Sequence, residues 1–152
     1  MLNVVSLRLA NIYGPRNLSG PAPAFYKRLA AGEDCTVVDS RRDFVYVADL
    51  VDVAVKALHI GSGPYHVSSG GDFAISDVYY AVRAAMGLEP DEPDIVPRGP
   101  DDAATLLLDP TETMRVFSWR TTTPLRQGIA AAVGWYDAHH ITETFTHLAM
   151  KG

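Results

Sequence analysis

The sequence predicts an α/β fold, and three observations carry the prediction. Short apolar, β-branched runs alternate with helical patterns along the chain, the order expected where helices join the strands of a sheet. Glycine and proline punctuate the ends of most of these runs. The chain has 152 residues, 47% of them hydrophobic, enough for one compact domain with a real core or for half of a larger one. Taken in order, Asn3 to Leu9 is the first strand. Val4, Val5, Leu7 and Leu9, with Ala10 and Ile12, are near-continuously apolar, which suits a parallel sheet covered on both faces. Tyr13-Gly14-Pro15-Arg16-Asn17 is a turn, Gly20 to Pro23 is punctuation, and Phe25 to Ala31 is a short helix stopped by Gly32. Thr36–Val38 and Phe44–Val47 are strand-like. Asp49 opens a helix through Leu58, closed by Gly61 and Gly63, and Tyr65–Ser68 is a further strand.

The second half reads the same way. Ser76 is the expected N-cap of a helix over Asp77–Met86, with Gly87 just past its end. Residues 88 to 102 hold four prolines and six acidic residues, so an ordered loop is expected there. Thr105–Leu108 suits a strand. Asp109-Pro110 starts a short helix through Val116. Thr123-Pro124 repeats the device for Leu125–Tyr136, whose Leu125, Ile129, Ala132 and Val133 make one buried face. The tail from Ile141 to Gly152 carries no firm pattern.

Composition excludes several function classes. Lys plus Arg total 13 against 18 Asp plus Glu, a net charge of −5, and no basic run stands out, so a nucleic-acid backbone is not the expected partner. One cysteine, Cys35, leaves no internal disulfide and no paired-thiol site. The absence of an apolar stretch of about 18 residues argues against a membrane helix. The first residues lack the pattern of a secretory signal, and a soluble, cytoplasmic protein is expected. His59, His66, His139, His140 and His147 show no ligand spacing, so no metal site is expected. A nucleophile elbow, a phosphate loop and a dinucleotide fingerprint are all missing. Gly61-Ser62-Gly63 lacks the third glycine and continues as Pro64-Tyr65-His66.

Three clusters have chemical character. Asn11 to Asn17 follows a strand directly, where an α/β protein places its ligand crevice, though the same residues also suit a plain turn. Arg41-Arg42-Asp43 precedes an apolar strand. Adjacent arginines there clamp a diphosphate or simply face solvent. Pro97-Arg98-Gly99-Pro100-Asp101-Asp102 holds an isolated arginine able to meet an anion or its acidic neighbours.

Together these segments resemble the carboxyl-terminal half of the extended short-chain dehydrogenase/reductase family, the NAD-dependent nucleotide-sugar epimerases and dehydratases. The likeness runs through Leu7-Arg8-Leu9-Ala10-Asn11-Ile12-Tyr13-Gly14-Pro15, Arg42-Asp43-Phe44-Val45-Tyr46-Val47-Ala48-Asp49-Leu50 and Tyr65-His66-Val67-Ser68. It continues in Arg98-Gly99-Pro100-Asp101, Asp109-Pro110-Thr111-Glu112-Thr113, Phe117-Ser118-Trp119 and Thr123-Pro124-Leu125. It implies the C-terminal part of a Rossmann-type NAD(P)-binding fold plus the small α/β substrate-binding domain. Residues 1–152 are then expected to form the substrate-binding half, with the amino-terminal dinucleotide-binding half absent. The resemblance implies nucleotide-diphosphate sugar contacts at Asn11, Arg42 and Arg98, and places Tyr13, Gly14 and Pro15 beside the nicotinamide end of NAD. In place of the family's Arg-Pro-Gly-Asp this chain has Arg-Gly-Pro-Asp.

The family's glycine-rich loop and Tyr-x-x-x-Lys pair do not occur, and Tyr79 with Arg83 is the closest pattern. No catalytic residue is therefore assigned, and weak or no NAD binding is expected of this chain alone. Two readings follow: nucleotide-sugar recognition within such an enzyme, or a non-catalytic binding or interaction module derived from one. The apolar first strand further implies a homodimer or a partner chain that supplies the missing half.

Overall fold

Continuous apolar runs and helix-starting prolines translate into structure with small shifts of boundary. The computed structural model describes residues 4–145, so Asn3, His147 and the rest of the tail lie outside the described residues. In chain order the elements are β1 (Val5–Leu9), β2 (Asn11–Tyr13), α1 (Pro21–Ala30), β3 (Thr36–Val38), β4 (Arg41–Arg42), β5 (Phe44–Tyr46) and α2 (Val47–Ala57). Then come β6 (Gly63–Val67), β7 (Phe73–Ala74), α3 (Ile75–Ala85), β8 (Asp94–Val96), β9 (Thr105–Leu106), α4 (Thr111–Phe117) and α5 (Leu125–His139). No helix among the described residues is long and apolar enough to cross a membrane.

The differences from the sequence reading have local causes. Asn11–Tyr13, which suited either a ligand-facing strand end or a plain turn, is a separate short strand because it pairs with β5. The helix expected from Phe25 begins at Pro21, whose fixed φ suits a first helical position. At the start of α3 the Asp77 carboxylate accepts the Ala74 amide at 2.8 Å, which places the helix start before Ser76. Part of the proline-rich loop, Asp94–Val96, finds order as a parallel partner of β3. Ahead of α4 the N-cap position is Pro110 rather than Asp109, one residue later than expected, and the Asp109 carboxylate accepts from the Thr111 amide and hydroxyl.

β1 pairs with β6, β2 with β5 and β3 with β8, all parallel, while β7, β4 and β9 form a mixed three-stranded sheet. Side chains alternate across a strand, and β5 shows the consequence. Phe44 belongs to a core with Tyr13, Phe25, Val78, Ile129 and Tyr136. Its neighbour Val45 belongs to a second core with Val53, Tyr65, Val67, Phe117 and Trp119. The β2–β5 ladder is thus a wall between an α1–α3–α5 layer and an α2–α4 layer on the β1–β6 pair.

Candidate functional site

Asn11 stands where β1 ends and β2 begins. Its backbone amide and its side-chain amide both donate to the Asp43 carbonyl, at 3.1 and 3.0 Å. That leaves its side-chain oxygen without a hydrogen bond among the described residues. Asn11 lines a cavity of about 250 Å³ with Tyr13, Phe44, Ile129 and the Gly20–Ala22 start of α1. A helix start ordinarily offers backbone donors to an anion. Here Pro21 and Pro23 have no N–H to give, so two of those donors are missing at this end.

Two arginines lie along the adjoining backbone. Arg41 is committed elsewhere, donating from Nε to the Asp72 carboxylate at 2.7 Å and from Nη2 to the Asp72 carbonyl. Arg42 donates from Nη1 to the carbonyls of Arg41 and Ala103, at 2.7 and 2.9 Å. Its Nε and Nη2 make no hydrogen bond among the described residues. Arg98 is exposed, forms no ion pair among the described residues, and lines a second, surface cavity with Asp39, Pro97, Gly99 and Pro100. The loop after β8 joins these positions: the Asp39 amide donates to Val96 at its start, and Arg42 holds Ala103 at its end. Asn11, Arg42 and Arg98 are therefore connected through Asp43 and this loop, but Asn11 and Arg98 line different cavities.

Tyr13, Gly14 and Pro15 follow Asn11 into the wall. The Tyr13 ring is buried edge-on against Phe44 and Tyr46, and its hydroxyl points to the Leu125 carbonyl at 3.4 Å. Burial first, then the charge of Asp49 and the neighbouring Tyr46, raises its pKa, so the phenol stays protonated. Gly14 has φ 143°, and a side chain there would meet Val47 at 2.7 Å. The glycine keeps β2 close to the start of α2.

The sequence reading missed the residues that hold these loops. Asp43 is 1% exposed; it accepts the Ser69 amide at 2.7 Å and also the Ser69 hydroxyl. Asp49 accepts the Thr122 amide and hydroxyl and the Thr123 amide, while its carbonyl accepts the Trp119 indole at 2.9 Å. The signal was present as two carboxylates flanking an apolar strand, a position where a charge is either paired or absent.

The geometry also limits the chemistry. Gly61-Ser62-Gly63 leads into β6 rather than a helix, and a side chain at Gly61 would strike Phe117. Gly61-Ser62-Gly63 therefore forms no pyrophosphate cradle. Tyr79 is 2% exposed in the core and bonds Arg83 at 3.2 Å, which makes that pair a packing feature. No group of three metal-ligating side chains occurs among the described residues.

Comparison with known proteins adds the context. Residues 1–68 match the NAD dependent epimerase/dehydratase family. A UDP-glucose 4-epimerase of Mycolicibacterium smegmatis is 31% identical over 136 residues, covering 84% of this chain and 43% of that protein. The Bordetella bronchiseptica enzyme WbmH, solved with NAD+, is 47% identical with a TM-score of 0.87, over 92% of this chain and 47% of its own. WbmG of the same organism, solved with NAD and UDP, is 38% identical with a TM-score of 0.86, over 97% of this chain and 49% of its own. The chain spans about half the length of the relatives it matches.

Proposed function

The chain belongs to the NAD dependent epimerase/dehydratase family, and from that premise we propose that it recognises a nucleotide-diphosphate sugar for an NAD-dependent epimerase or dehydratase. In that chemistry a sugar C–H gives its hydride to NAD, the hydroxyl proton passes to a base, and the hydride later returns. This chain's part is binding; the base and the cofactor's pyrophosphate cradle come from elsewhere. The observation that carries the reading is Asn11, which lines a cavity at a strand end with its amide oxygen unbonded among the described residues, on a fold shared with a UDP-bound relative. Arg42 keeps part of its planar fork for a diphosphate, and Arg98 supplies a second cation.

Titration calorimetry with UDP-, GDP-, CDP- and dTDP-sugars tests this directly. One nucleotide series should bind selectively. Each charge-assisted contact is worth about 1.5–3 kcal/mol, so Arg42→Ala and Arg98→Ala should each weaken binding about tenfold or more. Arg41→Ala, which breaks an ion pair with Asp72, should leave affinity unchanged. Equal affinity for all three variants and the parent defeats the assignment. The chain alone should transfer no hydride from a nucleotide-sugar to NAD, and saturable NADH formation would contradict the proposed division of labour.

The alternative of a non-catalytic module rests on a specific observation: Tyr79 and Arg83, the nearest match to a catalytic pair, are used in packing. Nucleotide-sugar binding without turnover in any reconstituted complex would favour it.

A further inference from the structure

Between β6 and β7 the chain turns through Ser68-Ser69-Gly70-Gly71. Serine hydroxyls and glycines build tight turns wherever they occur together. This turn is bonded outward as well as inward. Ser68 is fully buried; its hydroxyl accepts the Gly70 amide at 3.2 Å and donates to the Leu108 carbonyl at 2.7 Å. The Ser69 hydroxyl accepts the Gly71 amide at 2.9 Å and donates to the Asp43 carboxylate, which also takes the Ser69 amide.

The two outside partners converge on one strand. Leu108 lies just beyond β9, and β9 pairs with β4, Leu106 opposite Arg42. β7 follows the turn and pairs with β4 from the other side, Phe73 opposite Arg42. Asp43 is the next residue after Arg42, and its carbonyl accepts the backbone and side-chain amides of Asn11. The turn is therefore tied to both strands that flank Arg42 and to the residue that orients Asn11. Arg98 is carried separately, by the loop after β8, whose start is held by the Asp39 amide on Val96.

The ties are stiff. A buried carboxylate keeps its donors, because losing them exposes it to the full cost of desolvation. The backbone of Asp43 thus stands where Ser69 holds its side chain. A side chain at Gly71 would come within 2.8 Å of the Ser69 hydroxyl and 2.5 Å of the Phe73 ring. Glycine there lets the hydroxyl, Asp43 and β7 come together.

We propose that Ser68 and Ser69 are positioning residues for ligand binding. Through Leu108 and Asp43 the turn sets where Arg42 and the Asn11 amide oxygen stand, without touching the ligand itself. The ligand is the nucleotide-diphosphate sugar of the functional reading above, on which this role rests.

Ser69→Ala in the 152-residue chain removes the hydroxyl but leaves the Ser69 amide on Asp43, so the fold should survive, as circular dichroism would show. It should weaken nucleotide-sugar binding about tenfold, while Ser69→Thr, which keeps the hydroxyl, should bind like the parent. Double-mutant cycles separate positioning from general loosening. On the Ser69→Ala background, Arg42→Ala should cost less than about a further twofold, whereas Arg98→Ala should still cost about tenfold. If Ser69→Ala unfolds, Gly71→Ala, which crowds the same hydroxyl, carries the same cycles. A ligand-free measurement runs beside them: by NMR the Asn11 side-chain amide protons should exchange about tenfold faster in Ser69→Ala than in the parent, and Ser69→Thr should restore them.

Unmoved Asn11 protons, or parental affinity in Ser69→Ala, overturn the proposal. So does an Arg42→Ala effect that persists in full, or an Arg98→Ala effect that vanishes with it. A parent that binds no nucleotide-sugar defeats the functional reading instead, and the Asn11 protons alone then decide whether the turn positions that side chain.

Discussion

Asp43 and Asp49 flank the apolar strand Phe44-Val45-Tyr46, and each reaches across the fold to hold a distant loop. Asp49 is 6% exposed and accepts three hydrogen bonds from Thr122 and Thr123. Asp49→Ala strands those donors in a nearly dry site, where unmet groups are expensive, and should cost about 3 kcal/mol in urea unfolding. Asp49→Asn keeps one acceptor oxygen and should cost visibly less. Equal losses would mean that packing, not hydrogen bonding, is what Asp49 provides. Residue by residue, Asn11, Arg42 and Arg98 stood out in the sequence because amide and guanidinium groups beside a strand or in a proline-rich loop have a ready chemical reading. The aspartates did not, because their partners lie far away in sequence and only the tertiary path of the chain brings them together.

At the scale of elements, α5 contains two glycines with opposite reasons to exist. A side chain at Gly128 would overlap the Tyr13 hydroxyl, whereas nothing lies within 4 Å of one at Gly134. Alanine in a helix interior is worth about 1 kcal/mol over glycine. Gly134→Ala should therefore raise the melting temperature, while Gly128→Ala should lower it, through overpacking that costs about 1–3 kcal/mol of stability. Two shifts of the same sign would refute the close approach of α5 to β2. The helices were legible from their periodicity and their prolines. The short strands β2 and β8 were not: three residues carry little pattern, and each is a strand only because β5 or β3 lies alongside.

For the whole molecule, the division into two cores across β5 could not be read from alternation of strands and helices, which gives the class but not the layers. The shared wall makes a prediction. Trp119 is buried in one core, and Trp135 packs against the other. Trp135→Phe and Trp119→Phe variants, each reporting on one core by fluorescence, should unfold with coincident midpoints, since neither core keeps the β2–β5 ladder alone. Midpoints that separate would show two units merely in contact.

The pairing of Val5 with Gly63 also has a meaning in time. During synthesis at about 5–20 residues per second, β1 emerges roughly 3–12 s before β6 exists to receive it. Through that interval the strand is a newborn apolar segment without its β6 partner. Contacts this distant in sequence are also the slow ones to form in refolding. A chaperone that holds the nascent chain through this interval is expected to raise the yield of soluble protein, as the soluble fraction with and without it would show.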